Sequence, residues 1–169
     1  MKKFRNIKKQ AGFNLIEVLL AFLILSVGLL GVAGMQTTAV KASHTAMLKT
    51  VAINKIESIA ERIRANSDAD VMDYELVLGD SGTDEGCDER GGSVNVCDPQ
   101  QLAANDLFVW ENSLVNGALP VTGTDASIAI DDTVVPPIIT ITINWKERGE
   151  DMTYSTRMQR LLPPVVAAP

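Results

Sequence analysis

The sequence is poor in the residue types that build catalytic centres. It contains one histidine, two cysteines and 5% aromatic residues in 169 positions. It has no nucleophile elbow, no phosphate-binding glycine loop and no cluster of metal-ligand residues. The single histidine, His44, falls in a helical stretch and is interpreted as an exposed helix residue. The adjacent Asp131 and Asp132 are interpreted as solvated loop residues. We therefore predict that the chain is not an enzyme and has no catalytic residue, cofactor or metal.

Basic residues are also scarce beyond the first twelve positions. Those twelve hold five lysines and arginines and no acid, and the whole chain carries a net charge of −6. Their removal would leave a net charge of −11. Nucleic-acid phosphates are bound mainly through lysine and arginine, and exposed bases stack on aromatic rings. We therefore expect no nucleic-acid partner.

A long apolar run follows this basic segment. From Phe13 to Met35 the only charged residue is Glu17. About 20 apolar residues are enough to cross a bilayer as a helix. A short basic segment before such a run is typical of an export signal whose basic side stays in the cytoplasm. We expect the residues after the run to face the opposite side of the membrane.

Two positions in this segment fit a cleavage site. An ordinary secretory signal would be cut after the apolar core, near the small residues at 32–34, leaving a soluble periplasmic domain. A Gly12–Phe13 junction instead precedes the core and would leave it in place. A buried carboxylate costs about 3 kcal/mol or more in a membrane helix unless it is paired. A free amine at Phe13 would provide that partner for Glu17, whereas the ordinary signal leaves Glu17 without a purpose.

The run Gly12-Phe13-Asn14-Leu15-Ile16-Glu17-Val18-Leu19-Leu20 resembles the class III signal of type IV pilins and pseudopilins. This resemblance implies that a prepilin peptidase cuts after Gly12 and methylates the new N-terminal Phe13. It also implies that Glu17 serves subunit assembly by neutralising a neighbour's terminal amine in the fibre. Residues 25–36 and 61–66 resemble the PilV group of minor pilins. Gly34 lies near the place where many major pilins carry a kinking proline, which weakens a major-subunit interpretation and leaves a minor-subunit one untouched.

The resemblance carries expectations about function and location. It implies a minor pilin that is incorporated into, primes or caps a type IV pilus and supports adhesion and twitching motility. The expected partners are the prepilin peptidase and methylase, other pilins and the inner-membrane assembly platform. The expected location is a single-pass anchor in a Gram-negative inner membrane with a periplasmic C-terminal domain, and then the pilus. The alternatives are a minor pseudopilin of a type II secretion system, an adhesin at a fibre tip, and a soluble periplasmic binding domain released from an ordinary signal peptide.

The helical pattern continues beyond the apolar run. Between Val40 and Ile63 apolar residues recur every three or four positions, which indicates an amphipathic helix. We predict one helix from Phe13 to Asn66. The resemblance implies an α+β, type IV pilin-like fold in which this helix packs on a small antiparallel sheet. The predicted parts are a leader peptide at 1–12, an apolar transmembrane helix at 13–35, its amphipathic continuation at 36–66, a globular domain at 67–162 and a proline-rich, extended or disordered tail at 163–169.

The two cysteines, Cys87 and Cys97, lie beyond the membrane segment. On an oxidising side of the membrane such a pair persists as a disulfide. A zinc site would need further ligands, and a reactive pair would be closer in sequence. The acidic stretch Asp80–Glu85 lacks the ligand order of an EF-hand and is interpreted as a solvated loop, although cation binding stays open.

The last part of the chain carries strand patterns. Residues 138–145 and 152–158 alternate between apolar and polar side chains, which predicts a hairpin of half-buried strands around a turn at 146–150. A shorter strand is predicted at 126–130 and a short helical turn at 71–78. A second helix is predicted to start at Asp98-Pro99 and to extend towards Leu119, with Trp110 as a core anchor.

Overall fold

A computed structural model describes residues 12, 14–87, 96–117, 119–120 and 123–160. In chain order its elements are helix α1 (Leu15–Ala65), a short 3₁₀ helix (Val71–Tyr74), helix α2 (Pro99–Val115), and strands β1 (Asp125–Asp131), β2 (Ile138–Glu147) and β3 (Glu150–Gln159). The predicted leader apart from Gly12, the predicted methylation site Phe13 and the predicted tail at 163–169 lie outside the described residues.

The chain divides into two compact units between His44 and Thr45. In the first unit every described residue, from Gly12 to His44, is exposed. In the second unit the remainder of α1 is amphipathic, and its buried residues recur every three or four positions: Leu48, Ala52, Ile56, Ile59, Ala60 and Ile63. This spacing places them on one helix face. Val40 and Met47, which the periodicity assigned to the apolar face, are instead exposed.

The sheet has three antiparallel strands in the order β1-β2-β3. The β2–β3 hairpin turns through Arg148 and Gly149, which have positive φ angles of 54° and 87°. Positive φ at both central residues is the signature of a two-residue hairpin turn, and glycine adopts it without strain. The turn is therefore shorter than the predicted 146–150 segment, and both strands extend one or two residues further into it.

The core of the second unit lies between α1, α2 and one face of the sheet. The alternate β2 residues Ile139, Ile141, Ile143 and Trp145 are buried, as the alternation predicted. Trp110 on α2 is also buried, and its Nε1 donates a hydrogen bond to the carbonyl of Lys55 at 2.8 Å. A long helix joined to a small antiparallel sheet by one apolar core confirms the predicted α+β fold.

Some local predictions differ from the structure. The predicted helical turn at 71–78 stops at Tyr74, because Leu76 instead pairs with Ile128 at the outer edge of β1 through two backbone hydrogen bonds of 2.9 Å. Helix α2 ends at Val115 and not near Leu119. An alanine at Gly117 would place its Cβ 2.5 Å from the carbonyl of Ser113, so the chain passes too close to α2 there for a larger residue.

A buried polar network joins the end of α1 to α2. Asp106 accepts hydrogen bonds from Arg62 at 2.6 Å and from the Tyr74 hydroxyl at 3.0 Å. The Asn66 amide donates to the Tyr74 hydroxyl at 3.0 Å and to the Pro99 carbonyl at 2.8 Å. Buried polar groups are costly unless they are paired in this way. The network therefore fixes α2 against the end of α1.

Candidate processing and assembly site

The candidate site lies at the start of α1. The Asn14 carbonyl accepts hydrogen bonds from the backbone N–H groups of Glu17 at 3.0 Å and Val18 at 3.4 Å, which begins the helix. Glu17 lies in the first turn, where a negative charge interacts favourably with the helix dipole. The predicted assembly residue therefore lies in the first turn of α1, a few residues after Gly12 in the sequence.

The surroundings of Glu17 are apolar. Its side chain lines a shallow groove of about 300 Å³ together with Val18, Ala21, Phe22 and Leu25. From Phe13 to Val40 the sequence contains no basic residue. A carboxylate in this setting needs a cation from elsewhere once it leaves water. The groove thus presents a single acidic group on an otherwise apolar helix surface.

The apolar surface around this groove is long enough to span a membrane. An 18-residue window of α1 reaches a mean hydropathy of 2.6. Two hydroxyls on the exposed part of α1 donate hydrogen bonds to the helix's own carbonyls: Ser26 to Leu23 at 2.8 Å, and Thr37 to Gly34 at 2.8 Å. Such internal bonds satisfy polar groups where no water is available. This segment is therefore compatible with lipid or with the apolar interior of an assembly.

Gly12 is described and exposed, and Phe13 next to it is not described. An added Cβ at Gly12 would meet no described atom within 4 Å. The described part of the fold therefore places no steric demand for glycine at this position. A requirement for glycine here would come from another protein that handles the junction.

The two cysteines that were predicted to form a disulfide lie in the globular unit, far along the chain from Glu17. Cys87 and Cys97 form a disulfide with a Cα–Cα distance of 5.8 Å. Cys97 directly precedes Asp98, the N-cap of α2, whose side chain accepts a hydrogen bond from the Gln101 N–H. The bridge therefore ties Cys87 to the residue that directly precedes the N-cap of α2.

Two other residues that the sequence singled out, Asp131 and His44, lie on β1 and α1. Asp131 is the last residue of β1 and not a loop residue as predicted, and it accepts hydrogen bonds from the N–H and hydroxyl of Thr133 in the turn that follows. His44 is exposed on α1. Within the described residues no three His, Cys, Asp or Glu side chains form a group that could hold a metal ion.

Sequence reasoning missed two acidic residues of α2 that organise the globular unit. Asp106 is buried in the polar network, and Glu111 accepts a 2.8 Å hydrogen bond from the Gly82 N–H. The signal for Asp106 was its position, since it falls between the buried residues Ala103 and Trp110 on the inner face of the helix. Nothing local to Glu111 distinguished it from a solvated acid.

Comparison with known protein families matches two consecutive segments. Residues 7–33 match the model of the prokaryotic N-terminal methylation motif, and residues 34–108 match the Tt1218-like family, described as type IV pilin Tt1218. No curated protein and no solved structure matches in the other two comparisons. The methylation motif implies processing by a prepilin peptidase and assembly with pilins, and pilins are structural proteins, not catalysts. The methylation motif, the pilin segment and the long-helix fold together support a type IV pilin.

Proposed function

We propose that this chain is a minor pilin of a type IV pilus. In this proposal the leader ends at Gly12, Phe13 becomes the methylated N-terminus, and Glu17 pairs with the terminal amine of a neighbouring subunit. Before assembly the protein is anchored by one helix in a Gram-negative inner membrane, with its globular domain in the periplasm. The observation that carries the proposal is the exposed apolar surface of α1 with the single carboxylate of Glu17.

That surface explains why the protein needs both a membrane and partners. From residue 14 to residue 44 all side chains are exposed, and most of those before residue 36 are apolar. Burying a large apolar side chain contributes roughly 1.5–3 kcal/mol, so this surface is stable only in lipid or against other apolar helices. Glu17 adds specificity, because a buried carboxylate strongly favours a neighbour that supplies a positive charge.

The minor role rests on the sequence of α1. Residues 25–36 and 61–66 resemble minor pilins of the PilV group, and Gly34 stands near the position of the proline found in many major subunits. On this proposal the functional segments are the leader at 1–12, the assembly helix at 13–35, its amphipathic continuation at 36–66 and the globular domain at 67–162.

Fractionation of sheared pili tests the proposal. We expect the chain in the pilus fraction at a small fraction of the major subunit's abundance, and we expect fewer surface pili when its gene is deleted. Gly12→Val is the matched variant: it should retain its leader and be missing from pili while its globular domain stays folded. Normal piliation without the gene, together with impaired type II secretion, would contradict the pilus assignment and indicate a pseudopilin.

A further inference from the structure

An asparagine that precedes a small residue can react with its own backbone. The backbone nitrogen of the next residue can attack the side-chain amide carbon, and glycine hinders this attack least because it has no Cβ. Three asparagines of the chain precede glycine or serine, namely Asn66, Asn112 and Asn116, and of these Asn116 precedes glycine. All three lie in the globular unit, where the structure gives them different surroundings.

Two of these asparagines are held by the fold. Asn66 is 7% exposed, and its amide donates hydrogen bonds to the Tyr74 hydroxyl at 3.0 Å and to the Pro99 carbonyl at 2.8 Å. Asn112 is half-buried within α2, and its amide donates to the Phe108 carbonyl at 3.1 Å. Because either side chain must leave these contacts before it can react, both asparagines are protected while the globular unit is folded.

Asn116 lies at the C-terminal end of α2, and both Asn116 and Gly117 are exposed. Water can therefore reach the pair, and a helix end opens more easily than the middle of a helix. In the described part of the chain no group accepts a hydrogen bond from the Gly117 N–H, so the attacking nitrogen is not engaged elsewhere.

Two features of the helix end oppose the reaction. The Asn116 amide donates a hydrogen bond to the Asn112 carbonyl at 3.0 Å. The Asn116 ψ angle of 7° also turns the Gly117 nitrogen away from the side chain, so the Cα–C bond must rotate before the two atoms meet. Both changes need only the exposed last turn of α2 to open, whereas Asn66 must leave a buried network.

The fold also requires the glycine that makes this asparagine reactive. A Cβ at position 117 would lie 2.5 Å from the Ser113 carbonyl oxygen. A larger residue that would slow the attack is therefore excluded by the close packing of Gly117 on α2.

We propose that Asn116 is a site of spontaneous deamidation in the folded protein. The Gly117 nitrogen loses its proton to a base and bonds to Asn116 Cγ, while the bond from Cγ to the amide nitrogen breaks and ammonia leaves. Water then opens the resulting succinimide ring at either carbonyl, which gives aspartate or isoaspartate at this position. The net change is the uptake of one water and the loss of one ammonia. The inference does not depend on the proposed pilin role.

Either product weakens the end of α2. The new carboxylate cannot donate to the Asn112 carbonyl, and it lies at the negative end of the helix dipole. Isoaspartate also lengthens the backbone by one carbon next to Gly117, which packs closely against the Ser113 carbonyl. We therefore expect faster hydrogen exchange in the last turn of α2 after modification.

Peptide mass spectrometry of the full chain tests the proposal. One sample is aged in detergent micelles and a second in denaturant, both at the same mildly alkaline pH, which favours loss of the Gly117 proton. In the folded sample we expect aspartate and isoaspartate at Asn116, with several-fold more conversion than at Asn66 or Asn112. Unfolding should raise conversion at Asn66 and Asn112 by a much larger factor than at Asn116. Asn116→Gln, whose longer side chain would need a larger ring, is the matched control and should stay unmodified.

The comparison of the two samples also defines the contrary results. If folding suppresses conversion at Asn116 as strongly as at Asn66, the closed helix end protects the site and the proposal is wrong. Aspartate without isoaspartate at Asn116 would exclude the ring intermediate. Hydrogen exchange of Asn116→Asp tests the consequence for the fold, and wild-type exchange rates in the last turn of α2 would contradict the inferred weakening.

Discussion

The hydroxyl of Tyr74 donates a hydrogen bond to Oδ2 of Asp106 at 3.0 Å, and both residues are buried. The other carboxylate oxygen of Asp106 accepts from Arg62 at 2.6 Å. One aspartate of α2 thus holds both the end of α1 and the segment that follows it. The packing of α2 in the globular unit depends on this aspartate.

Replacing Asp106 is expected to be strongly destabilising. Asp106→Ala removes the acceptor for Arg62 and Tyr74 together, and breaking a buried ion pair typically costs about 3–5 kcal/mol. Arg62 is partly exposed and recovers some hydration when its partner is removed. We therefore expect the free energy of unfolding to fall by about 3 kcal/mol, near the lower end of that range. Chemical denaturation of the full chain in detergent measures it. Glu61→Ala, which removes the exposed Glu61–Arg64 pair, is the control and should cost less than about 1 kcal/mol. Similar losses for the two variants would contradict the network's role.

The hydroxyl of Tyr74 is expected to make stability sensitive to alkaline pH. Burial, the largest cause, and the nearby Asp106 carboxylate raise the pKa of Tyr74 above its ordinary range. The folded state therefore favours the neutral phenol. The contribution of this phenol to the free energy of unfolding is fully present below about pH 10 and is lost as the pH rises further.

Denaturation midpoints measured between about pH 8 and pH 11 check this dependence. Tyr74→Phe should lower stability by roughly 1–2 kcal/mol near neutral pH, since Asp106 loses a donor, and should reduce the alkaline loss. Tyr154→Phe removes a hydroxyl outside the network and should retain the wild-type alkaline loss. An identical alkaline loss in Tyr74→Phe would exclude Tyr74 as its source.

The parts of the fold that the sequence predicted are those with local signals. The α1 residues from Leu48 to Ile63 repeat at the helical period, and β2 alternates so regularly that its buried face could be named in advance. The disulfide was predictable because Cys87 and Cys97 are the only two cysteines. Each of these signals is contained in one short segment or one residue type.

The polar contacts could not be predicted because they join distant parts of the chain. Arg62 and Asp106 are 44 positions apart, and Gly82 and Glu111 are 29 positions apart. In the sequence Glu111 is one acid among 21 acidic residues. Its role appears only when the fold brings a backbone N–H to it and excludes water.

Loss of the disulfide is expected to destabilise the globular unit moderately. The cysteines are 10 positions apart, and closing a loop of this size contributes roughly 2–3 kcal/mol in the chain-entropy account. Cys87→Ser combined with Cys97→Ser should lower the free energy of unfolding by about that amount while leaving α2 formed, since Asp98 still caps it. Circular dichroism and denaturation measure the two quantities. Loss of helical signal in the double variant would contradict the independence of α2 from the bridge.

Removing the charge of Glu17 is expected to impair assembly and not processing. Glu17→Ala should still lose its leader, because the cleavage junction at Gly12–Phe13 is unchanged, but it should be depleted from sheared pili by several-fold. Ser26→Ala, also on the apolar part of α1, is the control and should be incorporated normally. Immunoblots of cell and pilus fractions measure both steps. Normal incorporation of Glu17→Ala would disprove the proposed intersubunit charge pair.

The mature N-terminus tests the central proposal most directly. Intact mass and terminal-peptide mass spectrometry of the protein purified from membranes would identify it. The account predicts a chain that starts at Phe13, carries one added methyl group on its terminal amine and retains Glu17. A chain that starts near Met35, without the apolar part of α1, would contradict the account and indicate a soluble domain released from an ordinary signal peptide.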